Sequence, residues 1–100
     1  MPWVKYEDAT AGDVVVELTA TTLSLYYWQF NEGVTLHLAM LTVEVEEPDR
    51  KGRRQVRVMA RPGAVGAGFR LKVPEHEWRR VDALLELVGP AQRALEPPVA

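Results

Sequence analysis

The stretch Pro74 to Val88, PEHEWRRVDALLELV, is followed directly by Gly89 and Pro90. At about 100 degrees per residue, Trp78, Val81, Leu84, Leu85 and Val88 share one arc of roughly 120 degrees, and Glu75, Arg79, Asp82 and Glu86 fall opposite. The spacing predicts an amphipathic helix over 74–88. Pro74 suits its first turn, where a missing N–H would be unpaired anyway. Glu75 and Glu77 favour the positive end of the helix dipole. Gly89 is suited to a left-handed cap and Pro90 cannot continue a helix, so the helix is expected to stop there. Five large apolar side chains on one stripe, each worth about 1.5–3 kcal/mol on burial, require a surface to cover. The helix is therefore expected to act as a lid on a sheet.

The residues upstream supply that sheet. Residues 1–11, MPWVKYEDATA, read as an N-terminal arm or edge strand. Asp13 to Thr19 is rich in β-branched residues, Ala20-Thr21-Thr22 makes a turn, and Leu23 to Phe30 returns as the hairpin partner. Asn31-Glu32-Gly33 is the expected hairpin loop, with Gly33 supplying a positive φ. Val34 to Glu47, VTLHLAMLTVEVEE, is too long for one regular strand. Its apolar parity changes across Ala39-Met40, which places a bulge or strand break there. Pro48 to Gln55 is a charged loop, Val56 to Arg61 a strand, Pro62 to Gly68 a glycine-rich connection, and Phe69 to Val73 the last strand. Residues 12–89 thus form a single domain. Residues 90–100 are expected to add a short helical turn over Ala91–Leu95 and a frayed tail.

Six to seven strands followed by one amphipathic helix predict a mainly β, α+β architecture. The expected form is a strongly bent antiparallel sheet or two near-orthogonal sheets, closed by the C-terminal helix. Three segments resemble bacterial pleckstrin-homology-like (PH-like) domains. VVVELTATTLSLYYW resembles their opening hairpin, VTLHLAMLTVEVEE the connection into the next strand, and FRLKVPEHEWRRVDALLELV the last strand and closing helix. The resemblance covers residues 13–88 and lies in the pattern of elements. It implies a β-barrel-like binding module, often for proteins. The basic phosphoinositide-binding signature of that family is missing, because Ala20-Thr21-Thr22 carries no Lys or Arg.

Composition narrows the functions. The 100 residues contain no cysteine, which excludes disulfides, thiolate metal sites and a thiol nucleophile. No apolar run reaches the ~20 residues needed to span a bilayer, and the N-terminus lacks a signal pattern, so a cytoplasmic protein is expected. A net charge of -2 gives no global attraction to nucleic acid. Ser24 is the only serine, and His37 and His76 lie in separate elements. No nucleophile elbow or metal-ligand spacing is present, so the expectation is a non-enzyme without cofactor or metal.

Three stretches remain as candidate binding surfaces. Tyr26, Trp28 and Phe30 share one face of the aromatic strand, and Leu23, Leu25 and Tyr27 share the other. Such a strand is either core on both sides or exposes one face as an interface, with Trp3 of the N-terminal arm able to contribute. A protein partner or a homo-oligomer is the expected occupant. Arg50, Lys51, Arg53, Arg54 and Arg57 form a basic loop that could take nucleic acid or an anionic lipid surface. The opposing reading is a solvated hairpin tip neutralised by Glu46, Glu47 and Asp49, and the loop has no interleaved aromatic residue. Gly63 to Gly68 has glycine spacing reminiscent of a phosphate cradle, but a strand follows it where a helix would be needed.

Overall fold

The apolar alternation upstream of the helix becomes strands in a computed structural model, which describes residues 2–28, 32–61 and 68–95. Among these residues β1 (Trp3–Asp8), β2 (Gly12–Leu18), β3 (Thr22–Tyr27) and β4 (Glu32–His37) form one antiparallel sheet in that order. A second antiparallel sheet contains β5 (Leu41–Val45), β6 (Arg54–Ala60) and β7 (Phe69–Val73). The chain ends in α1 (Glu75–Leu85) and a short α2 (Val88–Ala94).

Period-two side-chain alternation gives each sheet an apolar inner face. Tyr6, Val14, Val16, Leu18, Leu23 and Leu25 are buried from the first sheet, and Val56, Val58, Phe69, Leu71 and Val73 from the second. Val81, Leu84 and Leu85 of α1 join this core, with Trp78 packed at its margin. Of the predicted stripe, Val81, Leu84 and Leu85 are buried on α1, Trp78 is partly buried and Val88 is buried in α2, and α1 lies against β1 and β7.

The parity change expected at Ala39-Met40 is the joint between the sheets. Leu38–Met40 forms one 3-10 turn, and the fully buried Leu38 anchors it. His37 Nδ1 accepts the Ala39 N–H at 3.2 Å at the start of the turn. Gln92 of α2 donates to the carbonyls of Leu38 and Leu41, both at 2.9 Å. The second helix therefore holds the corner where the chain changes sheet.

Several expectations change. The helix stops at Leu85, and Pro74 precedes its first turn as an extended N-cap residue. Gly89 does not adopt a left-handed conformation: Glu86 and Leu87 stay right-handed and lead directly into α2. Pro90 sits in the first turn of α2, before the Ala91 N–H to Leu87 carbonyl bond, so its missing N–H costs nothing. Gly33 is not a positive-φ loop residue either: it lies in β4 opposite Tyr26. The two sheets do not close into a barrel among the described residues; they pair as separate sheets of four and three strands. Phe30, the glycine-rich segment up to residue 67 and the tail from 96 lie outside the described residues. No described helix is long and apolar enough to cross a membrane.

The edge strand β1 is capped by α1. Arg80 donates to the Lys5 carbonyl at 3.0 Å, and Glu77 accepts the Glu7 N–H at 3.4 Å. Side chains thereby occupy edge groups that would otherwise be open to pairing.

Candidate functional site

The register of the first sheet determines which side chains face solvent. Lys5, Val15, Tyr26 and Gly33 are successive partners across its four strands, and Trp3, Glu17, Ser24 and Thr35 form the next alternate row. Glu7 opposes Asp13, and the Trp28 N–H donates to the Asp13 carbonyl at 3.1 Å, extending that row. All of these have the parity opposite to the core residues, so they belong to the outer face.

Trp3, Tyr26 and Trp28 stand on this face, 62%, 40% and 64% exposed. Tyr27 takes the inner parity and packs against the core. The two faces of the aromatic strand thus have different roles, core beneath and exposed rings above. The arm does not fold over β3; β1 extends the sheet beside β2, and Trp3 joins the outer face.

Local packing positions the rings. A Cβ added at Gly33 would lie 2.7 Å from Tyr26 Cδ1, so the tyrosine ring rests across the glycine backbone. The Lys5 ammonium lies 5.0 Å from the Trp28 ring centroid, within cation–π range. Tyr26, Tyr27, Trp28, Glu32, Gly33 and Thr35 line an open concavity of about 540 Å³. Burial raises the Tyr27 phenol above its ordinary pKa, and the Asp8 and Glu32 carboxylates add to the shift.

The basic loop is arranged differently. Arg53 Nε bonds Asp49 at 3.0 Å, and Lys72 approaches the same carboxylate at 3.9 Å. Arg57 pairs with Glu46, and Arg54 stacks on Trp78 with its guanidinium carbon 5.1 Å from the ring centroid. Partial desolvation pushes the Asp49 carboxyl up, but backbone N–H groups of Arg53 and Lys51 and the Arg53 guanidinium outweigh it and hold it below the ordinary carboxylate value. Only Arg50 and Lys51 of the five basic candidates lack an acidic or aromatic partner among the described residues. The internal charge pairing anticipated from the neighbouring acidic residues takes up two of the five cations, Arg53 with Asp49 and Arg57 with Glu46.

Ser24 is buried within the sheet, its hydroxyl 2.9 Å from that of Thr35. His37 is engaged in the 3-10 turn, and His76 is exposed at the start of α1. No three His, Asp or Glu side chains converge among the described residues. Sequence reasoning passed over Asp8, a buried carboxylate that accepts from the Tyr6 hydroxyl and from the N–H groups of Thr10, Ala11 and Lys72. Its position before the Thr10-Ala11-Gly12 turn was the available signal.

No protein-family model, curated protein or solved structure matches this chain.

Proposed function

We propose that this chain is a non-catalytic protein-interaction module of PH-like architecture, with two near-orthogonal sheets. Its binding surface is the outer face of the four-stranded sheet, through Trp3, Tyr26 and Trp28. One observation carries the reading: three large aromatic side chains stand exposed on a sheet face whose opposite side already supplies the core. Tyr and Trp are effective interface anchors because they bury much area with few rotatable bonds. The order of four strands, three strands and a closing helix supports the PH-like assignment.

Neither Ala20-Thr21-Thr22, where the hairpin resembling the family's opening one turns from β2 into β3, nor the β1–β2 turn, Ala9-Thr10-Ala11, carries a Lys or Arg. Inositol-phosphate binding at the family's usual place therefore has no cation to support it. Anion binding through Arg50, Lys51, Arg53, Arg54 and Arg57 is the weaker reading, because three of these five side chains already have internal partners.

The test is the solution molar mass by light scattering, at two protein and two salt concentrations, for the wild type and Trp28→Ala. A salt-indifferent dimer that Trp28→Ala dissociates makes the face a self-association surface. A dimer unaffected by Trp28→Ala contradicts the assignment. A monomer throughout makes a different polypeptide the partner, and position-specific cross-linking then decides whether this face receives it.

A further inference from the structure

The charges of this chain are segregated. Residues 1–49 hold one basic and nine acidic side chains, whereas residues 50–100 hold eleven basic and five acidic. Folding turns this division into a difference between surfaces. All four ion pairs among the described residues lie within residues 46–80. Glu7, Asp13 and Glu17 share the outer face of the first sheet with the exposed aromatics, and Glu32 lines the concavity beside Tyr26 and Trp28. None of these four carboxylates has an ion-pair partner among the described residues.

We infer that the partner of this face is a peptide segment bearing arginine. The inference rests on the interaction reading above and adds the chemistry of the partner. Exposed indole and phenol rings attract a cation through their faces, and nearby unpaired carboxylates reinforce that attraction. Arginine suits the combination better than lysine, because its planar guanidinium stacks on a ring while its N–H groups pair with a carboxylate. Two internal contacts display the components. The Lys5 ammonium already occupies one side of Trp28, and Arg54 stacks on Trp78 beside Glu75. A phosphate-bearing polymer is repelled by the same carboxylates, so the face selects against nucleic acid.

The experiment is a fluorescence-anisotropy titration of a labelled arginine–glycine repeat peptide with the full chain. A glutamate–glycine peptide and a lysine–glycine peptide serve as comparisons. The arginine peptide binds, the lysine peptide binds several-fold more weakly, and the glutamate peptide does not bind. Trp28→Ala weakens the arginine peptide about tenfold, and Asp13→Asn with Glu17→Gln weakens it at least as much. Glu47→Gln with Glu86→Gln, which removes the same charge elsewhere, changes it less than about twofold. Equal loss in the two double variants reduces the effect to net charge and overturns the inference. Circular dichroism of each variant separates lost binding from lost fold, and Glu17→Gln alone provides a second, milder substitution. If the arginine peptide fails to bind while position 28 still cross-links a polypeptide, the arginine inference falls and the interaction surface stands. If neither occurs, both fall.

Discussion

Asp8 Oδ2 accepts the backbone N–H of Lys72 at 2.8 Å, so a buried carboxylate at the end of β1 bonds to β7 across 64 residues of sequence. The adjacent Ala9 N–H donates to the Lys72 carbonyl at 2.9 Å. Asp8 also accepts the Tyr6 hydroxyl at 2.6 Å and the N–H groups of Thr10 and Ala11 at 2.9 and 3.1 Å. One side chain therefore shapes the first turn and links the two sheets. Asp8→Ala is expected to cost about 2–3 kcal/mol, because it strands the buried Tyr6 hydroxyl and takes the acceptor from three part-buried N–H groups. Asp8→Asn should cost roughly half as much, since its amide oxygen still accepts but its NH₂ cannot receive the Lys72 N–H. Urea unfolding of the three proteins measures both values, and an Asp8→Ala loss under about 1 kcal/mol contradicts this role.

Tyr6 predicts an alkaline limit to stability. Burial raises its phenol far above the ordinary value of 10.0, and the hydrogen bond to Asp8 and that residue's negative charge raise it further. The unfolded chain therefore releases this proton more readily than the folded one. The resulting stability is fully present below about pH 10 and is lost progressively as pH rises above it. Phenolate absorbance from Tyr6 should appear together with loss of the fold, and Tyr6→Phe should remove one step of that titration.

Asp49 acts in the opposite direction. Its folded carboxyl lies below the ordinary value of 3.8, so its contribution is present above that pH and fades as pH falls through the lowered folded value. Asp49→Asn should flatten the acid limb of the pH–stability curve and leave the alkaline limb unchanged.

Two glycines predict unequal costs. A Cβ at Gly68 would meet the Val58 carbonyl oxygen within van der Waals contact, and Met59 Cα at 3.1 Å, both in the backbone of β6. At Gly33 the nearest atom belongs to the Tyr26 ring, a side chain that can shift, and the nearest backbone atom is the Leu25 carbonyl oxygen at 3.1 Å. Gly68→Ala is therefore expected to destabilise by about 2 kcal/mol or more, and Gly33→Ala by less than about 1 kcal/mol while displacing Tyr26. Thermal unfolding compares them, and the reverse order contradicts the packing described.

Trp28 and Trp78 should separate surface from core. Trp28→Ala removes a ring that is 64% exposed and one cation–π contact, for about 0.5–1 kcal/mol. Trp78→Ala removes a half-buried ring at the core margin and the seat of Arg54, for about 2–3 kcal/mol. Equal losses on chemical unfolding would contradict an exposed Trp28.

Much of this fold was legible because its signals are local and repetitive. The stripe of Val81, Leu84 and Leu85 and the parity change at Ala39-Met40 each follow from side-chain periodicity alone. The course of the chain beyond Leu85 was not legible, since Gly89-Pro90 suits a helix stop and also the start of a second helix. Tertiary bonds from Gln92 to Leu38 and Leu41 accompany the second outcome. Asp8 carried a local turn signal, but its bond to the Lys72 N–H of β7 lies beyond any local pattern. For the candidate surface, the sequence placed Tyr26 and Trp28 on one face of a strand. Whether that face was core depended on the neighbouring strands, and the alignment of Trp3 with them required the β1–β2 register. The charge division between residues 1–49 and 50–100 was fully readable and is hidden in the net value of -2.

The central claim is that the outer face of the four-stranded sheet receives a polypeptide. Its most direct test is a photo-reactive phenylalanine placed in turn at position 28 and at position 79, which is exposed on α1. The full chain is irradiated within its own cells, and polypeptide adducts are identified by mass spectrometry. A defined adduct at position 28, absent from position 79 and suppressed by Tyr26→Ala, is the result this account predicts. No adduct at position 28, or the same adducts at both positions, contradicts it.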